Sequence, residues 1–338
     1  MPIHGFSAKN ILLSLSIAGL TVASTACTSS VKSDTAATDT IQSTRQGGPK
    51  PGGPQLGTPG GGPVIDKSGD STLQGMIKTL VPQFKVIEYH DSVTGKTMKY
   101  NLFTPKNMAQ GKRYPLVLFM ADASTPGTEV SRPLTQGYGA LVWATDEWQK
   151  EHPCYVLVPQ YSGVAVNDAY EHTDEVDIVA RMVRSVAADK NVDINRIYTT
   201  GQSMGGMISM YYNSAYPDLF AASMFVDCHW NSATFPELVK HKFAFITAGK
   251  AGTFGPLEAA ADKAGIKYEY IEFSAKLPQA TQDKLAAEEL AKGAPINIIN
   301  FESKTVLPSD GKGSEHMYSF DYAYRLTPVR EWLFKQTK

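Results

Sequence analysis

The chain has 338 residues, 42% of them apolar and 19% charged, enough apolar side chain for one large domain or two small ones. Lys and Arg total 32 against 33 Asp and Glu, a formal net charge of -1, so no broad basic face is expected for nucleic acid or for an acidic lipid surface.

Residues 1–26 read as an export signal. Lys9 precedes the apolar run "ILLSLSIAGLTV", which is too short to span a membrane, and the small residues Ser24 and Ala26 suit cleavage. Cys27 then stands as the cysteine of a bacterial lipobox would, although Ser24 occupies the place where such boxes usually carry Leu. Lipidation of Cys27 and simple secretion stay open, and both predict an exported protein: a cell-envelope lipoprotein or a secreted one. Residues 27–72 form a Ser/Thr/Gly/Pro-rich tether, because "GGPKPGGPQLGTPGGGP" cannot bury a core. Globular composition begins at Leu73, and residues 73–338 are expected to be one domain.

Within that domain "FKVIEYHD" and "MKYNLFTP" predict an opening hairpin turning at "SVTGK". "YPLVLFMA", "CYVLVPQ", "RIYTTG", "SMFVD" and "FAFITAG" are near-continuous apolar runs, as strands covered on both faces require. Helical patterns separate them; in "TDEVDIVARMVRSVAADKN" the residues Val176, Val179, Ala180, Val183 and Val186 share one face. The alternation predicts a doubly wound, mostly parallel α/β sheet. After "KYEYIEF" a helix, "QATQDKLAAEELAKG", and a strand, "INIINFES", read as an insertion before the closing helix "TPVREWLFKQ". Cys154 begins one strand and Cys228 ends another, so they are expected on opposite rims and beyond disulfide reach.

"TTGQSMGGMIS" places Ser203 at the apex of a strand, turn and helix, with Gly201 and Gly205 on either side. That is the context of a nucleophile elbow, where the turn is too tight for flanking side chains and the helix N-terminus favours developing negative charge. A serine hydroxyl needs a base, and a chain order of Ser, acid, His puts that base late. His229 directly follows a strand and precedes the expected acid, while His241 precedes a strand at the other rim. His316, in the Gly-rich stretch "GKGSEHMYSF", is the expected base.

These stretches, with "HPCYVLVPQY", "YPDLFAA" and "SEHMYSFDYAYRLTPVREWLF", resemble the α/β-hydrolase fold and, within it, secreted peptidases and esterases similar to prolyl oligopeptidase-like and polyhydroxybutyrate depolymerase-like hydrolases. The resemblance implies Ser203 as nucleophile and His316 as base, and it does not choose between ester and peptide hydrolysis. Two departures stand out. Ala121 and Asp122 occupy the places of the His-Gly pair that shapes the oxyanion loop in such enzymes; the backbone amides of Ala123 and Met204 are the expected oxyanion donors, with Asp122 a possible source of repulsion. The usual address of the acid, after "FAFITAG", holds Lys250 and Gly252 and no carboxylate before Glu258. Asp227, one strand after the nucleophile strand, is the first candidate acid, followed by Glu258, with a water or backbone carbonyl as the remaining option; Glu315 is expected to point elsewhere.

Tyr161 and Trp230 fall on loops at the rim of Ser203 and are candidate lining residues of a substrate cleft. "DCHW" holds residue types that bind metal, but adjacent positions seldom converge on one ion, so neither a metal nor another cofactor is expected. Three functions follow: an exported serine esterase acting through an acyl-enzyme, a serine peptidase of prolyl oligopeptidase-like type, or a non-catalytic binding lipoprotein on the same fold. The expected partner of the first two is a small ester or peptide, with membrane contact only through a lipid at Cys27.

Overall fold

Apolar runs flanked by helical patterns become parallel strands because each can bury both faces under helices. The computed structural model describes residues 64–338; the signal segment, Cys27 and most of the tether lie outside the described residues. The strands are β1 (Lys85–His90), β2 (Thr97–Phe103), β3 (Tyr114–Met120), β4 (Tyr155–Pro159), β5 (Val192–Gln202), β6 (Ala222–Val226), β7 (Phe243–Ala248), β8 (Tyr268–Phe273) and β9 (Ile296–Phe301). They form one sheet in the order β1-β2-β4-β3-β5-β6-β7-β9-β8. Only β1 with β2 and β2 with β4 pair antiparallel; every other pair is parallel. β3, β4, β6, β7 and β9 are buried along their whole length, whereas the edge strands β1 and β8 mix exposed and covered positions.

The helices are α1 (Ser71–Leu80), α2 (Arg132–Thr135), α3 (Tyr138–Leu141), α4 (Asp146–Glu151), α5 (Asp174–Asp189), α6 (Met204–Ala215), α7 (Phe235–Leu238), α8 (Gly255–Ala264), α9 (Gln279–Leu290), α10 (Glu315–Arg325) and α11 (Thr327–Phe334). Two apolar cores result, one on each face of the sheet, and strand alternation feeds both. Val117 and Phe119 of β3 join residues of α1, α3, α10 and α11, while Leu116, Leu118 and Met120 join residues of α5, α6 and α8. In α5 the five expected residues are buried, and Asp174, Glu175 and Asp177 in its first turn complement the helix dipole.

One expectation needs revision. The tether was expected to run to residue 72, yet α1 starts at Ser71 and is capped by Asp70, which accepts from the Leu73 N–H at 3.0 Å and from the Tyr138 hydroxyl at 3.0 Å. Lys67 pairs with Asp321 at 2.7 Å and Ile65 packs against the core, so the segment just before α1 is docked by polar and apolar contacts together. The helix and strand read as an insertion before the histidine are present as α9 and β9. β9 enters the sheet between β7 and β8, pairing in parallel with both, which leaves β8 as the edge.

Candidate active site

β5 ends at Gln202 and α6 begins at Met204, leaving Ser203 between them with φ 51° and ψ −118°. Its N–H donates to the Val226 carbonyl at 3.0 Å, tying the apex to β6. The flanking glycines are steric requirements. A Cβ on Gly201 would lie 2.3 Å from the Gly205 carbonyl carbon, and one on Gly205 would lie 2.0 Å from the Met120 oxygen at the end of β3.

The Ser203 hydroxyl meets His316 Nε2 at 2.9 Å, and His316 Nδ1 meets Asp227 Oδ1 at 3.1 Å. An ionised carboxylate only accepts, so this geometry suits a proton on Nδ1 donating to Asp227 and a free Nε2 accepting from Ser203. Asp227 directly follows β6, is 2% exposed, and holds a left-handed φ of 38° while its N–H donates to the Ile246 carbonyl at 2.8 Å. His316 was expected in a Gly-rich loop; it is instead the second residue of α10, with its ring edge-on to Phe320 at 5.0 Å. Starting the helix at Glu315 turns that side chain away to the Ser303 hydroxyl and the Lys304 N–H. Glu258 lies in the first turn of α8, and the partner of His316 Nδ1 is Asp227.

After β3 the chain makes a tight turn. The Asp122 N–H donates to Gln136 Oε1 at 3.4 Å, the Ser124 N–H to Asp122 Oδ1 at 2.7 Å, and the Thr125 N–H to the Asp122 carbonyl at 3.3 Å. Among the described residues the Ala123 amide is thus the one in this turn left without an acceptor. Met204 is the first residue of α6, and its amide has no carbonyl one turn back to donate to. Asp122, expected as a source of repulsion, is 2% exposed and, like Ala123 and Met204, is not among the residues that line the cleft.

The three side chains open into a cleft of about 530 Å³ whose other walls are Met207 and Met210 of α6, Trp230, Phe235, Phe245, and Phe254 and Leu257 at the start of α8. Trp230 lines the cleft, edge-on to Tyr170 at 5.5 Å. Tyr161 does not. It is 4% exposed, its hydroxyl reaches Met120 Sδ at 3.4 Å, and burial pushes its pKa far above that of free tyrosine. Its backbone leaves β4 at the predicted rim, but the ring turns down into the core under α5 and α6. His229, set aside as the base, lines the cleft and pairs with Asp168 at 3.2 Å. Lys250, at the address where the resemblance led one to seek the acid, also lines it and is anchored by its N–H to Asn300 Oδ1 at 3.1 Å. Cys154 and Cys228 are free thiols, with Cys228 in the cleft wall. The lining from α8, from β7 and from Asp168 and Tyr170 was not foreseen. Met207 and Met210 had only helical spacing to mark them, which does not say what a helix faces.

No protein-family model matches the chain, and no curated protein matches it. The crystal structure of a thermostable esterase is similar over 77% of this chain, at 23% identity and a TM-score of 0.59; this chain spans 64% of that esterase's length. The feruloyl esterase module from Clostridium thermocellum, complexed with sinapinate, is 12% identical over 81% of this chain and 95% of its own, with a TM-score of 0.49. An S-formylglutathione hydrolase from Staphylococcus aureus is 11% identical over 74% of this chain and 96% of its own, with a TM-score of 0.42. With the sheet order, the Ser203 elbow and the similarity to the thermostable esterase together, the chain has the α/β-hydrolase fold.

Proposed function

We propose that the protein is a serine hydrolase that cleaves carboxylic esters through an acyl-enzyme on Ser203. The observation that carries this reading is the continuous chain from Ser203 Oγ through His316 to Asp227, at 2.9 and 3.1 Å, inside a largely apolar cleft. In the first half-reaction Ser203 Oγ attacks the ester carbonyl as His316 Nε2 takes the hydroxyl proton, and Asp227 stabilises the imidazolium that forms. The amides of Ala123 and Met204 donate to the oxyanion. His316 then gives the proton to the departing alkoxide, and the alcohol leaves. In the second half a water loses its proton to His316 and attacks the acyl carbonyl; the same proton returns to Ser203 Oγ as the acid is released. An ester is the first substrate class to test because the similar fold with the highest TM-score quoted above is that of an esterase. Trp230 and its apolar neighbours take the uncharged part of the substrate. Export rests on the composition of residues 1–26, with Cys27 as the site of a lipid anchor in the envelope.

A fluorophosphonate probe tests the reading. Covalent capture that disappears in Ser203→Ala, together with a loss of aryl-ester turnover of at least about 10²-fold in His316→Ala, is the expected result. A folded protein that neither reacts with the probe nor turns over the ester would be a binding protein on this fold.

A further inference from the structure

Gln136 lies between the single-turn helices α2 and α3. Its Oε1 accepts from Gln202 Nε2 at 3.0 Å and from the Asp122 N–H at 3.4 Å, and its Nε2 donates to Ser124 Oγ at 3.1 Å. A backbone N–H can only donate, so the atom facing Asp122 is the carboxamide oxygen and the orientation of the amide is settled by its neighbours. Gln202 is 1% exposed and immediately precedes Ser203; Asp122 is 2% exposed and, with Ser124, builds the turn that leaves the Ala123 amide unbonded. One carboxamide therefore joins the serine elbow to the turn beyond β3.

We propose that Gln136 is a positioning residue that holds the Ala121–Thr125 turn in register with Ser203, so that the Ala123 amide meets the oxyanion. This rests on the hydrolase reading above. The physical need is specific. A donor contributes only if it sits about 2.7 to 3.1 Å from the oxygen that becomes charged, and each well-placed donor is worth roughly a hundredfold or more in rate. The ladder ends with the pair Met120–Gly201, and Gln160 Nε2 holds the Thr125 carbonyl at 3.1 Å, so the Ala121–Ser124 stretch between these anchors needs a restraint of its own relative to the elbow. Gln136 supplies that restraint from both sides at once. It is not among the cleft-lining residues and acts through Ala123.

The test is a double-mutant cycle on a short-chain aryl ester, using full-length Gln136→Leu, Gln202→Leu and the double variant. Gln136→Leu is expected to lower kcat about tenfold or more while KM stays within about twofold, since the lost donor acts on the transition state. Gln202→Leu should lower kcat in the same direction, and the double variant should lose no more than the worse single, because both cut one link. Gln136→Asn, polar but one methylene too short to span both contacts, serves where the leucine variant fails to fold and should show the same split. Wild-type kcat in a folded Gln136 variant, or losses that multiply in the double variant, overturns the assignment. A wild-type protein that neither turns over the ester nor is captured by the fluorophosphonate probe overturns the hydrolase reading itself, and that result is visible before any variant is made.

Discussion

Ser203 and Asp227 both sit at φ above zero, at 51° and 38°, where a residue with a Cβ pays roughly 1 kcal/mol or more of strain. Each occurs immediately after a parallel strand, β5 and β6, and each has its N–H bonded to the neighbouring strand, which holds the conformation. The carboxylate closest to a sequence-based expectation is thus the one bonded to His316, although two in the chain competed for the place. Asp227→Asn should lower turnover of an aryl ester by about 10⁴-fold, since an amide oxygen opposite Nδ1 no longer stabilises the imidazolium and its NH₂ favours the wrong tautomer. Glu258→Gln should leave turnover within about twofold. Comparison of the two kcat values decides: more than a tenth of wild-type activity in Asp227→Asn would remove Asp227 from the mechanism. Chain order and the strand-turn-helix context made Ser203 and His316 legible in advance. Tyr161 was misplaced because a loop residue's rim follows from its strand, while the direction of its ring follows from packing.

At the scale of elements, the antiparallel hairpin of β1 and β2 needs a tie to the parallel part of the sheet's cover. Asp91, in the hairpin turn and fully buried, accepts from Arg181 of α5 at 2.7 and 2.9 Å and from the Thr94 N–H and hydroxyl at 2.9 and 2.7 Å. The bidentate guanidinium contact holds the carboxyl well below the usual carboxylate range against the opposing effect of burial, and the Thr94 bonds add to it. Removing one partner of such a pair leaves the other uncompensated, so Asp91→Asn should cost about 3 kcal/mol at pH 7. A depressed folded-state pKa stabilises above the unfolded value and is lost on acidification. The gap between wild type and Asp91→Asn in urea unfolding should therefore be full above about pH 4 and narrow below it. A gap that is independent of pH down to strongly acid conditions would show that the charge of Asp91 contributes nothing. The sequence predicted the hairpin but not this tie, because Asp91 and Arg181 are 90 residues apart.

At the scale of the molecule, the boundary between tether and hydrolase fold can be tested by truncation. Deleting residues 28–63 should leave the melting temperature and ester turnover unchanged, since a Gly/Pro-rich segment supplies no packing. Extending the deletion to Leu80 removes the fully buried Leu73, the Asp70–Tyr138 contact and the Lys67–Asp321 pair, and should destabilise by about 3 kcal/mol or more. Equal melting temperatures for the two truncations would mean that α1 adds nothing to the fold.

The sequence by itself determined the alternation of apolar strands and amphipathic helices, the parallel sheet they imply, the serine at a turn only glycines can flank, and the late histidine. All of these are local patterns of spacing and residue type. Only the tertiary structure decided that β9 slips between β7 and β8, that His316 starts a helix and that the Tyr161 ring faces the core. It also decided which carboxylate meets His316 and which amides Gln136 brings together. Those depend on contacts between residues distant in the chain, where distances of about 3 Å are set by the packing of whole layers and by no single stretch of sequence.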